Sequence, residues 1–411
     1  MGKKATLFLL YGLSIILTII IAVITIVALN IGKFSPHQTI IMPFIGLILP
    51  ALIFTNICYA IYWLIRRRWL ICLIPIATII GCFSYYGTFY RFGNATKEIV
   101  LQDKQNEKNI RVLTYNTHFF CSKEAEKNNI LMSDFLKVQN IDIACFQEYE
   151  MPDKFKDTIS QFRMLPYNYT NYNVKEKMSI AIYSKYPILD SKYVEYPFSN
   201  YGYIESTIAL CSTNIITNEV KLSVDKYLKT IDSTIIVTDS TIKVKTDSIT
   251  KTITDSLINL SKKITVINTH FQSTGVSTTR REVEKIEDSG ENIANINIAE
   301  RMTTRMSVSY KMRAQQIDIV LDAIKNSKYP VILCGDFNDT PLSYVYSKAA
   351  SELIDGFKES GDGYMYTYKY FKKMLRIDYI FYGKEFKSVK YFSPNKDFSD
   401  HNPVISELKL L

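Results

Sequence analysis

From Met1 to Lys97 the chain contains no Asp or Glu, and within this front lie three stretches without any charged side chain: Ala5 to Gly32, Phe34 to Ile65 and Trp69 to Tyr90. Each exceeds the ~20 apolar residues that cross a bilayer as a helix. Leu, Ile, Val, Phe and Ala dominate them, so they have no partner of their own size in a soluble core. The pattern predicts a membrane anchor over residues 1–93 with three transmembrane helices, about 5–31, 38–65 and 69–90. A cleaved signal peptide does not fit: the first stretch is too long for an h-region, lacks a small-x-small site, and two more follow it.

Basic residues around the spans set an orientation. Lys3 and Lys4 precede the first span, Arg66, Arg67 and Arg68 separate the second from the third, and the first connection carries only Lys33. With both basic clusters in the cytoplasm, everything after about Arg91 lies outside it. This predicts an integral protein of the cytoplasmic (inner) membrane with an extracytoplasmic remainder. The formal charge of +9 would otherwise suggest a polyanionic partner. Eight of the basic residues, however, fall in the acid-free front, which leaves 41 basic against 40 acidic residues from position 98 onward.

After a polar linker, 94–109, short β-branched and aromatic runs alternate with helical spacing. Strands are expected at 110–115, 141–146, 178–183, 204–210, 264–268, 331–334, 377–382 and 404–408, and a helix beginning near Met312. Intermixed strands and helices over about 300 residues indicate one α/β domain with a large sheet core. Two segments interrupt it. Residues 212–262 hold 17 Ser or Thr in 51 positions with Asp-Ser recurring at 232, 239, 247 and 255; propensity favours strand there and periodicity favours helix. Residues 273–310 form a polar excursion, either a lid or a solvated loop with a helix. The seven cysteines show no CxxC or zinc spacing.

Polar chemistry collects at the ends of the expected strands: Asn116, Glu148, His270, Asp336 and Asn338, with Asp378 inside the seventh and Asp400 and His401 just before the eighth. Strand ends are where α/β sheets build sites. Carboxylates and amides are hard oxygen ligands that suit Mg²⁺, Mn²⁺ or Ca²⁺ rather than zinc. The two imidazoles can move a proton near neutral pH. Together these groups suit attack of water on a phosphate ester. His118 reads as a solvated or packing histidine, His37 as an ordinary loop residue, and Arg313 and Gln316 as structural.

The series YNTH, FQE, NTH, GDFND, RIDYI and SDHNPV, in this order over about 109–411, resembles the endonuclease/exonuclease/phosphatase superfamily, here as a membrane-anchored, bacterial-type member. The resemblance implies a four-layer α/β sandwich, two packed mixed β-sheets flanked by helices, as a catalytic domain at 110–411. It implies that Glu148 is the principal metal ligand, with Asn116 and Asp400 completing or supporting the metal site. His401 with Asp378 corresponds to a water-activating pair, and His270 and Asn338 to groups on the scissile phosphate. Asp336 corresponds to a carboxylate that serves as base in some members and as metal ligand or phosphate neighbour in others. Glu205 aligns loosely with an acid that orients the histidine at position 270.

The expected function is therefore that of a membrane-anchored, metal-dependent phosphoesterase, with Mg²⁺ as cofactor and Mn²⁺ or Ca²⁺ as substitutes. Its partners would be the bilayer and a phosphoester substrate: a lipid head group, a nucleotide or a nucleic acid. An extracytoplasmic nuclease is the second reading, weakened by the near-neutral charge after residue 98. A non-catalytic binding protein retaining the fold is the third, and the completeness of the motif set counts against it.

Overall fold

A computed structural model describes residues 3–92, 109–119, 125–149, 162–173, 178–211, 218–219, 221–223, 239–275 and 298–411. In chain order the elements used below are α1 (Lys3–Leu29), α2 (Ile41–Leu47), α3 (Leu49–Ile65), α4 (Trp69–Gly81), β1 (Ile110–Asn116), α5 (Ala125–Val138), β2 (Ile143–Gln147), β3 (Tyr167–Asn173), β4 (Met178–Ser184), β5 (Ile188–Glu195), β6 (Gly202–Ala209), α6 (Asp239–Leu260), β7 (Lys263–His270), α7 (Ile298–Lys325), β8 (Val331–Asp336), α8 (Tyr344–Glu352), β9 (Asp378–Tyr382), β10 (Phe386–Phe392) and β11 (Val404–Leu410). They fall into two compact units. One comprises residues 1–95, 271–325 and 337–377, the other 96–270, 326–336 and 378–411.

In the first unit, Thr6–Leu29 and Trp69–Tyr86 are long and apolar enough to cross a membrane, and α2 with α3 forms a third candidate bent by 56°. The second expected span is therefore not one straight helix. Pro50, at the start of α3, has no backbone N–H to give, and the ladder breaks at Ile48. Polar ties hold α1 to α3: Asn56 Nδ2 donates to Thr25 Oγ1 at 2.9 Å, and Trp63 Nε1 to Thr18 Oγ1 at 2.9 Å. In an apolar surrounding such bonds fix which helix faces meet. After the last of these helices, Tyr90 and Arg91 pair with Tyr364 and Gly363.

The second unit holds two mixed sheets. One runs β10-β11-β1-β2-β4-β3; the other, within this unit, runs β9-β8-β7-β6-β5. Each has a single parallel pair at its heart, β1 with β2 and β7 with β8, and antiparallel neighbours outside it. Every residue of β1, β2 and β8 is buried, as expected for strands covered on both faces. Across the core, Gln147 Nε2 donates to Asn268 Oδ1 at 2.6 Å, and Asn268 Nδ2 donates to the carbonyls of Phe146 and Ala181. This buried amide pair joins the two sheets directly beneath the strand ends.

Three strands, β3, β5 and β10, carry no expectation from sequence, and each ends a sheet. Edge strands bury less, so their apolar signal is weak. Helix α7 starts at Ile298 rather than near Met312, because its first turns are largely exposed and carry no apolar stripe. In the Ser/Thr-rich insertion, periodicity prevails over propensity: residues 239–260 are a helix, α6. Residues 212–217, 220 and 224–238 of that insertion, and 276–297 of the excursion, lie outside the described residues.

Candidate active site

Strand register brings the polar residues of the second unit to one end of both sheets. Asn116 and Gln147 are partners on parallel strands, which places Glu148 one residue beyond. His270 and Asp336 are partners in the other parallel pair, and antiparallel β9 begins with Asp378 opposite Asp336. Antiparallel β11 pairs Val404 with Thr114, so the segment before it delivers Asp400 and His401 to the same end. Parallel strands thus offer their last residues and antiparallel neighbours their first.

The carboxylates are held close. Asn116 Nδ2 lies 3.2 Å from Glu148 Oε1 and 3.0 Å from Asp336 Oδ2, bridging the two sheets, while its Oδ1 accepts the backbone N–H of His118. Asn116 is thus an amide clamp on two acids, with its oxygen turned toward backbone. His118, Phe119 and Glu148 adopt left-handed backbone with φ of 43°, 54° and 47°. Such non-glycine positions cost ~1–3 kcal/mol each and persist only where the surroundings enforce them. Here Thr117 Oγ1 and the Phe119 N–H both bond the Glu148 carbonyl, at 2.7 and 2.8 Å.

The two imidazoles differ sharply. His401 Nδ1 donates to Asp378 Oδ2 at 2.9 Å, and its Nε2 points to Asp336 Oδ2 at 3.9 Å. Burial alone would lower the His401 pKa, but the charge and hydrogen bond of Asp378, with Asp336 and Asp400 behind, raise it to about 10. His270 Nε2 is buried without a hydrogen-bond partner, 3.6 Å from Glu148 Oε1 and 3.7 Å from Asp336 Oδ2. Burial dominates there and lowers its pKa to about 4, against the opposing charge of Glu148. Burial also opposes ionisation of Glu148, yet the hydrogen bond from His118, the charges of His270 and His118 and the Asn116 amide bring its pKa down to about 2.

This donor set fits a hard divalent cation. Glu148 and Asp336 are oxygen donors beside the unpartnered His270 Nε2, and Glu148 and Asp400 both approach His118 Nδ1, at 3.2 and 3.9 Å. Asp336, Asp378 and His401 also present ligand atoms within 4.8 Å of one another. Asp378 already accepts the His401 Nδ1–H hydrogen bond, so within that trio His401 has only Nε2 to offer a cation.

A family model described as the endonuclease/exonuclease/phosphatase family matches residues 113–401. The chain belongs to this family. Members of the superfamily are phosphoesterases or nucleases. A second model, a domain of unknown function (DUF8431), matches residues 8–89. No curated protein matches the chain. Among solved structures, similar ones include an endonuclease/exonuclease/phosphatase from Bacteroides vulgatus (17% identity, 74% of this chain and 100% of that one, TM-score 0.46). The human Nocturnin catalytic domain (16%, 75% and 95%, 0.45) and a mannosyl-6-phosphatase from Bacteroides thetaiotaomicron (14%, 73% and 99%, 0.44) are others.

Of the residues expected from sequence, the structure gathers Asn116, Glu148, His270, Asp336, Asp378, Asp400 and His401. Glu205 is not among them. It lies in mid-β6 on the face shared with Tyr203, whose partner is Thr269, so the two-residue period turns it away from His270. Its carboxylate instead meets Lys192 of β5 at 2.9 Å. Asn338 belongs to the other unit, with φ of 50° and its amide donating to the Phe271 carbonyl at 3.0 Å. Two residues of this strand-end cluster escape a sequence reading. His118 looks like an isolated histidine until β1 and β2 pair, and then it touches Glu148. Ser399 bonds the Asn116 carbonyl at 2.8 Å and accepts the His401 N–H at 3.1 Å, setting the segment that carries Asp400 and His401. Tyr201 also stands edge-on to His270, with ring centroids 4.6 Å apart.

Proposed function

We propose that the chain is a membrane-anchored, divalent-cation-dependent phosphoesterase that cleaves a phosphodiester or phosphomonoester by attack of water. The observation that carries this is geometric: two buried imidazoles converge on shared carboxylates at one end of both sheets, His401 bound through Nδ1 to Asp378 at 2.9 Å and His270 Nε2 left without a hydrogen-bond partner between Glu148 and Asp336. Environments that push like groups apart are how a site obtains separate proton-handling and binding partners. His401, with Nδ1–H committed to Asp378 and its pKa raised to about 10, is protonated near neutral pH and presents Nε2–H to the leaving oxygen, while Asp336, 3.9 Å from that nitrogen, is the group placed to take the proton from the attacking water. His270 stays neutral, and its unpartnered Nε2 is available to donate to a phosphoryl oxygen; Asn338 is assigned the same task. Asp336, shared by Asn116 and both imidazoles, orients the set. A cation held by Glu148, Asp400 and Asp336 would supply positive charge to offset that developing on the phosphate.

Two contacts support an odd number of spans. His37, between α1 and α2, bonds Lys311, and Tyr90 and Arg91, after the last span, pair with Tyr364 and Gly363. Both then lie on one side of the membrane, which a crossing α2–α3 pair satisfies and a re-entrant one does not. With the basic clusters inside, that side is extracytoplasmic, so a carboxy-terminal reporter active only in the cytoplasm should stay silent.

The test is the full chain in detergent with bis-p-nitrophenyl phosphate and p-nitrophenyl phosphate, with and without Mg²⁺, Mn²⁺ or Ca²⁺. Turnover should require the cation and vanish in Glu148→Ala and His401→Ala. Turnover that survives both substitutions removes this mechanism. Hydrolysis confined to DNA or RNA would select the nuclease reading.

A further inference from the structure

The backbone leaving His270 and the backbone leaving Asp336 both enter the unit that contains the apolar helices, and one buried arginine holds them there. Arg313, on α7, is fully buried. Its Nε donates to Asp339 Oδ2 at 3.1 Å and its Nη1 to the Gln272 carbonyl at 2.9 Å. Gln316 Oε1 accepts the Gln272 N–H at 2.9 Å, and Asn338 Nδ2 reaches the Phe271 carbonyl. The chain is therefore pinned within three residues of each catalytic strand end. A buried arginine that loses its partner is costly, so this geometry has few alternatives.

The connection between α1 and α2, and α2 itself, grip the same helix. The Arg313 guanidinium lies 4.8 Å from the Tyr310 ring, and Phe44 meets that ring edge-on at 5.7 Å. Next to it, His37 Nε2 donates to the Lys311 carbonyl at 3.1 Å. Gly32 has no room for a Cβ, because the Ser347 side chain of α8 fills the place. Phe34, Pro43 and Leu47 face Tyr310, Asp339 and Tyr344 across a crevice of only about 10 Å³, room for about one water. A loose tether would not be packed this closely.

We propose that the α1–α2 connection, together with α2 itself, is a working part of the enzyme. Through Phe44 and His37 it holds α7, and Arg313 acts as the positioning residue that sets Asn338. This rests on the phosphoesterase reading above. It makes turnover depend on the contact, not on the covalent link through 94–109.

The experiment uses the full chain in detergent, Phe44→Ala to remove the edge contact, Gly32→Ala to wedge Ser347 away, Phe44→Tyr as the conservative control, and a protease site placed in 94–109. Misplacing a catalytic group by about 1 Å costs up to ~10²-fold. Phe44→Ala and Gly32→Ala should therefore lower kcat on bis-p-nitrophenyl phosphate by about 10- to 100-fold, with KM within about twofold. Phe44→Tyr and the cut linker should retain wild-type kcat. Amide exchange should quicken at 271–275 and 337–345 in the two damaging variants while β1 and β2 stay protected, which separates displacement from unfolding. Wild-type kcat and exchange in both damaging variants would overturn the proposal, as would kcat lost on cutting the linker but kept in Phe44→Ala. If the wild-type chain turns over no ester and exchange still responds, the phosphoesterase reading fails and the contact stands.

Discussion

His270 and His401 are buried to the same degree, 5% exposed each, and both stand over Asp336, at 3.7 and 3.9 Å. Their proton affinities nevertheless move in opposite directions, to about 4 and about 10. The cause is Asp378, 2.9 Å from His401 and wholly buried, with no equivalent hydrogen-bond partner on His270 Nε2. Burial penalises the charged imidazole in both places, and a single buried carboxylate reverses the outcome in one. The same cluster therefore favours the charged imidazole at one position and the neutral one at the other.

The largest effect should come from erasing this difference. Asp378→Asn keeps the shape but leaves His401 without its charged partner, and kcat should fall about 10²- to 10⁴-fold, the range of lost acid–base catalysis. His270→Ala removes the donor proposed for the phosphate and should cost about 10²- to 10³-fold in kcat. The two pH–rate profiles should separate them: Asp378→Asn displaces the limb belonging to His401, whereas His270→Ala lowers the profile without displacing that limb. Identical displacement in both would mean the two imidazoles titrate as one group.

A smaller effect is expected at His118, one step outward. It touches Glu148 at 3.2 Å and Asp400 at 3.9 Å and is a third exposed. Partners behind a cation's ligands typically contribute 10- to 100-fold in affinity. His118→Asn should raise the Mg²⁺ concentration for half-maximal turnover about tenfold while kcat at saturating Mg²⁺ stays within about twofold. Unchanged Mg²⁺ dependence would make His118 a bystander.

These residues also mark what sequence alone discloses. Glu148, His270, Asp336 and His401 are legible because each ends or precedes a run of buried β-formers, and the register of parallel pairs then aligns them. His118 is not, because its partner is supplied by strand pairing. Glu205 misleads because alternation along β6 turns it toward Lys192. The strands β3, β5 and β10 lie at sheet edges, where the apolar pattern fades. The grip of His37 on Lys311 joins residues 274 positions apart, and no local pattern announces it.

The subtlest consequence concerns stability without the cation. In the folded chain His401 titrates near 10 against an ordinary 6.5. Its contribution is complete below about 6.5 and is lost as pH rises through about 10. His270 titrates near 4 against 6.5, so its contribution is complete above 6.5 and is lost as pH falls through about 4. Glu148, held near 2 against 4.5, acts at still lower pH and leaves the window between 6.5 and 4.5 to His270. With a chelator present, Tm should sag on both sides of a plateau. His401→Asn should flatten the alkaline side alone and His270→Asn the acid side alone. If either substitution flattens both sides, the division of labour set by Asp378 is wrong, because one titration would then be governing both imidazoles.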